Sequence, residues 1–360
     1  MPLPIALDYR PALLSRAGIG RATRELARAL GERDDLAVHL FGHSFARAAV
    51  PFEPHPAARL HRLPIPGRSL GWLRRFGVGA DHLAGRARVF HWTDYVQPPV
   101  ARARKVLTVH DLAFVRDAGW HGGQAGALRE RTRAMVAAAD ALVVPSHATA
   151  ADVRAFAPGH ARLQVIPFGS DHVPTAPSAH PLAGRDYALC LGTIEPRKNH
   201  LGLLAAWRRL PVPRPLLVCV GARGWACEEI VTELAAAERE GLLRWLRRAD
   251  DDLLWPLLQH ARLMVYPSLW EGFGFPPLEA MALGVPVVAN DCAPLRELGD
   301  GALVLTDARH VDALADALER AWRDASLRSE KIDHGRRRAA AFRWRDCAAR
   351  HAALYREVAE

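Results

Sequence analysis

Short apolar runs alternate with longer amphipathic stretches along the chain, the pattern of a parallel sheet covered by helices on both faces. In the first half, "PIALDY" (4–9), "LAVHLF" (36–41), "RVFHWT" (88–93), "KVLTVH" (105–110), "ALVVPS" (141–146) and "LQVIPF" (163–168) predict strands. The second half repeats the theme at "DYALCLG" (186–192), "PLLVCVG" (215–221), "LLRWL" (242–246), "RLMVYPS" (262–268), "VPVVAN" (285–290) and "GALVLT" (301–306). Between the first two runs, Ala22, Leu26, Ala29 and Leu30 recur at helical spacing. The expected fold class is α/β, with two doubly wound units.

The stretch "SDHVPTAPSAHPLAG" (170–184) is rich in proline, serine and histidine and has no apolar period, so it reads as an interdomain linker. The expected division is a Rossmann-like domain over 1–169, the linker over 170–184, and a second Rossmann-like domain over 185–342. The chain ends in "FRWRDCAARHAALYREV" (342–358), and a final helix over 343–360 is long enough to cross back onto the first domain.

Composition adds bounds rather than detail. The 360 residues are 50% hydrophobic and 24% charged, enough for two cores of ordinary size. No apolar stretch reaches membrane-spanning length, and "MPLPIALDYR" has neither a basic n-region nor a cleavage site, so a mature cytoplasmic protein is expected. Cys190, Cys219, Cys227, Cys292 and Cys347 form no CxxC pair and have no metal-ligand spacing with histidine, which implies neither a disulfide framework nor a zinc site. A net charge of +9 favours an anionic partner: nucleic acid, a phospholipid surface or a phosphorylated substrate. The basic residues are nearly all arginine, with lysine only at Lys105, Lys198 and Lys331, so part of the excess reflects compositional bias.

Open parallel sheets bind ligands beyond the carboxyl ends of their strands, where helix N-termini offer N–H groups and partial positive charge. After the first strand, Gly18 and Gly20 precede a helix and form a candidate anion site, or merely a tight turn. The dinucleotide fingerprint fails there, because Thr23 stands at its third glycine and "HLFG" supplies no acidic residue for a ribose. "VLTVHDLAF" ends a strand with His110 and Asp111, either an acid/base or clamping pair or a capped strand end. Arg197 and Lys198 in "GTIEPRKN" stand at a helix entrance, against the macrodipole; a bound phosphate would resolve that conflict.

In "EGFGFPPLEA" (271–280), Pro276 and Pro277 suit the first turn of a helix ended by Gly284, and Gly272 and Gly274 let backbone amides approach a ligand. A phosphate fits those amides but repels carboxylates. Glu271 and Glu279 should therefore accept hydrogen bonds from hydroxyls on either side of it. A diol, a diphosphate and further hydroxyls together describe a nucleotide sugar. The acidic run "ADDDLL" (249–254) is read instead as helix-capping, since its aspartates precede "LLWPLLQHA".

With these motifs in order, the chain resembles the retaining glycosyltransferases of family 4 along almost its whole length. The most specific match is E-x7-E from Glu271 to Glu279 within "PSLWEGFGFPPLEAMALGVPVVA", supported by "GIGRATREL", "TVHDL", "GTIEPRKN" and "FRWRDCA". The resemblance implies the GT-B fold, two domains facing a central cleft. It implies that Glu279 holds the ribose and that Arg197 and Lys198 hold the diphosphate. Glu271, with the backbone of Phe273, Gly274 and Phe275, would hold the transferred sugar and distal phosphate, with His110 contacting that sugar. Gly18, Gly20, Thr193 and Gly272 join the donor contacts. It further implies retention through an oxocarbenium-like transition state without bound metal or cofactor, the leaving phosphate taking the acceptor proton and Asp111 a disfavoured nucleophile. Thr193, where many members carry arginine, and Phe168, where asparagine is frequent, depart from the pattern.

Family donors include GDP-, UDP-, ADP- and dTDP-sugars. "EPRKN" and "EGFGFPPLEAM" look most like enzymes of mannose- or rhamnose-containing polysaccharides, which implies GDP-mannose as donor and a glycan or lipid-linked saccharide as acceptor, with no nucleic acid partner. Two alternatives stay open: a nucleotide-sugar-binding subunit without turnover in a polysaccharide assembly complex, and a GT-B-like epimerase. "RSLGWLRRFGVGADHLAGRAR" (68–88) interleaves Trp72, Leu73 and Phe76 with Arg68, Arg74 and Arg75, a composition suited either to an anionic membrane surface or to a basic helix with its apolar side in the core. The first reading gives a peripheral location at the inner membrane face.

Overall fold

In the first unit the six apolar runs form parallel strands, and a seventh joins them. These are β1 (Leu3–Asp8), β2 (Leu36–His43), β3 (Arg59–Leu63), β4 (Val89–Trp92), β5 (Arg104–Thr108), β6 (Ala141–Val144) and β7 (Leu163–Val165), ordered β3-β2-β1-β4-β5-β6-β7. Register runs through the centre with Ile5 opposite Val38 on one side and Val89 on the other. The unlooked-for strand, β3, is "RLHRL" at the sheet edge, where only one neighbour pairs and water reaches the side chains. Several predicted strands end earlier than the apolar runs do, so His110, Ser146 and Phe168 lie in loops beyond the carboxyl ends of β5, β6 and β7.

The computed structural model describes residues 1–16, 18–44, 55, 57–64, 67–160, 162–176, 178–182 and 184–360. Helix Ile19–Gly31 buries Ala22, Leu26, Ala29 and Leu30 as their spacing predicts. The last helix, Trp344–Ala359, packs on the first unit. Its Trp344 N–H donates to Asp171 Oδ1 at 2.8 Å, Arg88 Nη2 donates to Ala359 O at 2.6 Å, and Tyr355 Oη meets buried His91 Nδ1 at 2.7 Å.

The second unit is built on β8 (Tyr187–Leu191), β9 (Leu216–Val220), β10 (Leu243–Leu246), β11 (Leu263–Tyr266), β12 (Val287–Asn290) and β13 (Val304–Thr306), all parallel in the order β10-β9-β8-β11-β12-β13. Leu217, Val265, Trp207, Leu234 and Leu314 belong to its core. In both sheets the order reverses beside the first strand, between β1 and β4 and between β8 and β11, the points where such sheets take ligands.

The units do not follow chain order. Met1–Leu112, Ala127–His172 and Phe342–Glu360 make the first, and Ala113–Gly126 with Val173–Ala341 the second. The segment 113–126 thus folds with the unit that follows it. The proline-rich stretch after 170 is also held. Ser178 N–H donates to Gln259 Oε1 at 3.1 Å, and His260 Nε2 lies 2.8 Å from Ser178 O. Among the described residues no helix is long and apolar enough to cross a membrane.

Candidate active site

The loop leaving β8 is turned sharply before the next helix begins. Ile194 bridges to Arg223, Glu195 is extended, Pro196–Lys198 form a single 3-10 turn, and Asn199 takes the left-handed conformation at φ 54° before helix His200–Arg209. Asparagine tolerates that region better than most side chains, and its Nδ2 donates to Ala308 O at 2.8 Å. The loop after β11 is stitched to this turn. Leu269 N–H donates to Arg197 O at 2.8 Å, and Arg197 Nη1 donates to Trp270 O at 2.7 Å.

Four charges meet where these loops join, at the point where the strand order reverses. Lys198 Nζ lies 2.5 Å from Glu271 Oε1 and 3.1 Å from Tyr266 Oη. Arg197 Nη1 is 3.2 Å from Glu271 Oε1, and its Nη2 is 2.7 Å from Glu195 Oε1. Ser268 Oγ donates to Glu271 Oε1 at 2.5 Å. Side-chain exposure is 11% for Arg197, 13% for Lys198 and 10% for Glu271. Burial alone would push the Glu271 carboxyl up. Lys198 and Arg197, with the bonds from Lys198 and Ser268, outweigh it and hold the group at about 2. Glu195 goes the other way: burial raises its pKa, opposed by Arg197 and Lys198 and assisted by Glu271.

This corrects one expectation. The two cations do not need a phosphate to settle their conflict with the helix terminus, because Glu195 and Glu271 already offset them. Glu271 likewise faces the cations directly, although sequence reasoning set it apart from the phosphate site. Glu195, Ser268 and Trp270 were missed as members of this cluster. Glu195 stood beside Arg197 in "GTIEPRKN", and its burial was the signal the sequence does not carry.

The glycine turn follows. Gly274 caps helix Phe275–Leu283 at φ 102°, a left-handed conformation that favours glycine. Pro276 and Pro277 occupy the first turn, and Gly284 closes the helix at φ 74°. The rings of Phe273 and Phe275 meet edge to face at 5.5 Å. Glu279 is buried in the second turn of that helix, and Gly272 lies directly before Phe273. Thr193 lies between β8 and the cation turn. The aspartate run starts helix Asp251–Gln259, with Asp250 at the N-cap but making no side-chain cap bond.

The remaining candidates belong to the first unit. His110 Nε2 donates to Thr93 O at 2.8 Å, and its ring stacks on Phe168 at 5.8 Å. Burial lowers its pKa, opposed by the Thr93 bond and by Asp94 and Asp111, so the imidazole is neutral at neutral pH. Phe168, the departure from the family pattern, thus supports His110 and in turn packs on Trp344 at 5.9 Å. Asp111 N–H donates to Tyr95 Oη at 3.1 Å. Gly18 caps helix Ile19–Gly31 at φ 55°. A Cβ at Gly20 would come within 2.2 Å of Ser15 O, so its bareness lets the chain pass. Asp8, at the end of β1, was not foreseen: it is fully buried, and its carboxyl is pushed up to about 7 by burial against the opposing Arg10 charge.

Two parallel α/β units, one carrying a buried cluster of paired charges at its switch point, define a protein of the GT-B fold. The family described as "Glycosyl transferase 4-like domain" matches residues 17–169, and "Glycosyl transferases group 1" matches 175–338. The chain belongs to the glycosyltransferases of the family 4 type and resembles its mannosyltransferases. It is 37% identical over 188 residues to the O-antigen chain mannosyltransferase B of Escherichia coli, covering 49% of each chain. It is 32% identical over 226 residues to the MMP alpha-(1->4)-mannosyltransferase of Mycolicibacterium hassiacum, covering 60% of this chain and 54% of the relative. The matches thus span about half the length of these curated relatives. Among solved structures, sucrose-phosphate synthase from Thermosynechococcus elongatus superposes with a TM-score of 0.81 at 23% identity, covering 99% of each chain, a likeness of fold. HepE from Anabaena, solved with UDP and glucose, superposes with a TM-score of 0.76 at 18% identity over 99% of this chain and 100% of its own.

Proposed function

We propose that the protein transfers a hexose from a nucleotide sugar to a glycan or lipid-linked saccharide, with retention of anomeric configuration, and that the donor is GDP-mannose. The observation that carries this reading is the buried meeting of Arg197, Lys198 and Glu271 beyond β8 and β11. The mannosyltransferase names of the relatives support the sugar, and the HepE complex with UDP and glucose supports a nucleotide-sugar donor.

In this reading Glu271 keeps the cations ordered until a donor arrives. The diphosphate oxygens then displace its carboxylate from Lys198 and Arg197, and Glu271 accepts from sugar hydroxyls instead. As the bond from the anomeric carbon to the phosphate oxygen breaks, Arg197 and Lys198 stabilise the charge left on the diphosphate, a task metal ions perform in other enzymes. The acceptor oxygen bonds to the same carbon on the same face, and its proton passes to the departing phosphate oxygen. Glu279 holds the ribose, the amides around Phe273, Gly274 and Phe275 take the distal phosphate, and Gly18, Gly20, Gly272 and Thr193 complete the donor contacts. Neutral His110 contacts the sugar.

Thermal stabilisation by GDP, UDP, ADP and dTDP tests the donor, since a ligand of the native state raises apparent stability. GDP should shift the melting temperature most. A larger shift with another nucleotide would reassign the base, and no shift with any would remove the nucleotide reading. Product analysis with and without acceptor separates transfer from epimerisation.

A further inference from the structure

The segment Ala113–Gly126 lies in the first half of the sequence yet folds with the second unit. It is a strap of two short turns, Ala113–Arg116 and Ala118–Gln124, joined where the Asp117 carboxylate accepts from Gly119 N–H at 2.8 Å. Its second turn packs against the Pro196–Lys198 turn that carries the cations. The strap is anchored by aromatic contacts: Trp225 Nε1 donates to Trp120 O at 2.7 Å, and His121 stacks on the Trp225 ring at 5.5 Å. At its other end the Arg116 guanidinium lies 3.5 Å from the centroid of the Trp270 ring.

Trp270 is the residue through which the charge cluster is held to its loop. Its carbonyl accepts from Arg197 Nη1 at 2.7 Å, and the next residue is Glu271. Hydrogen bonds weaken steeply once their angle falls below about 120°, so they depend on how the carbonyl is aimed. A guanidinium stacked on the indole face therefore fixes more than the ring. We propose that Arg116 is a positioning residue of the donor site: by clamping Trp270 it sets the Trp270 carbonyl and the Glu271 carboxylate that order Arg197 and Lys198. The strap is then part of the donor machinery, although its sequence position assigns it to the other half. This rests on the nucleotide-sugar reading above.

A double-mutant cycle on nucleotide binding tests it, with parent, R116A, W270L and R116A/W270L each titrated calorimetrically with GDP and UDP while melting temperature is followed. R116A should weaken nucleotide by about two- to fivefold, the scale of an exposed cation–π contact, with the melting temperature little changed. On the W270L background the same substitution should have no further effect, because its route is gone. R116K, a cation that reaches the same ring, should recover at least half of the lost affinity. Unchanged affinity in R116A, additive effects in the double variant, or R116K no better than R116A would each overturn the clamp. A parent that binds none of GDP, UDP, ADP and dTDP overturns the donor-site reading and the clamp with it. A parent that binds while R116A is indifferent overturns the clamp alone.

Discussion

Lys198 Nζ lies 2.5 Å from Glu271 Oε1, so the cation expected to receive a diphosphate is already engaged by the protein's own carboxylate. Removing one member of a buried pair strands the other, which is costlier than losing both. K198A should therefore lower stability by about 3 kcal/mol, the low end for a broken buried pair because Arg197 still faces Glu271 at 3.2 Å, and K198A/E271Q should recover part of that loss. K198A should also weaken nucleoside diphosphate by about 1.5–3 kcal/mol. Urea unfolding and calorimetry read the two effects separately. A double variant no more stable than K198A, or nucleotide affinity untouched, would break the link. The acid limb carries a further signature. The Glu271 contribution is full above the ordinary 4.5 and is lost as pH falls through about 2, so E271Q should flatten stability across that window.

Asp8 titrates in the opposite sense. Its folded pKa is raised from the ordinary 3.8 to about 7, so the folded chain binds the extra proton between those values and stability declines as pH rises through them. D8N keeps an acceptor for the Arg10 N–H, now 3.1 Å from Asp8 Oδ1, and removes the buried charge. Its stability relative to the parent should grow from pH 4 to pH 7 and level off above, by at most about 4 kcal/mol at 1.36 kcal/mol per pKa unit. Melting curves across pH 4–8 check this. A constant difference between variant and parent would mean that Asp8 is ionised in the fold like an ordinary carboxylate.

The helix Gly67–Arg74 and the turn after it divide their apolar residues. Leu70 is buried in the core, whereas Trp72 and Phe76 are 59% and 67% exposed and meet edge to face at 4.9 Å. The side chains of Arg68 and Arg74 lie outside the described residues, and Arg75 is exposed. If this face rests on a membrane, W72S/F76S should reduce binding to vesicles containing anionic lipid by about tenfold or more, as two exposed aromatic anchors are lost. Parent binding should weaken with salt. Equal sedimentation of parent and variant, or equal binding to neutral vesicles, would assign these rings to another role.

Much of the fold was legible because parallel strands buried on both faces read as unbroken apolar runs, as "LCL" of β8 and "LMVY" of β11 do. The edge strand "RLHRL" was not, since pairing on one side leaves a polar sequence without a strand signature. Arg197, Lys198 and Glu271 could be named from residue type and helix position, but their pairing could not. Which carboxylate meets which cation is decided by two loops 73 residues apart in the chain. The strap was illegible for the same reason: nothing local in "AFVRDAGWHGG" says that Trp225 and Trp270 will hold it. Phe168, a departure from the family pattern in the sequence, is in the structure the surface on which His110 stacks.

The two glutamates of the E-x7-E motif should divide the labour between binding and turnover. Glu279 is buried in the second turn of its helix, and in the proposed reading it grips the ribose, a part of the donor that does not react. E279Q should therefore raise the donor KM with kcat largely kept. Glu271 stands among the cations and passes to the sugar undergoing transfer, so E271Q should lower kcat by roughly ten- to hundredfold, the scale of one charge-assisted hydrogen bond. Glutamine keeps size and an acceptor oxygen in both variants, leaving charge as the variable. Steady-state kinetics with GDP-mannose and saturating acceptor compare them. Turnover lost in E279Q while E271Q changes only the donor KM would exchange the two roles, and would place Glu271, with its two cations, on the spectator side of the donor.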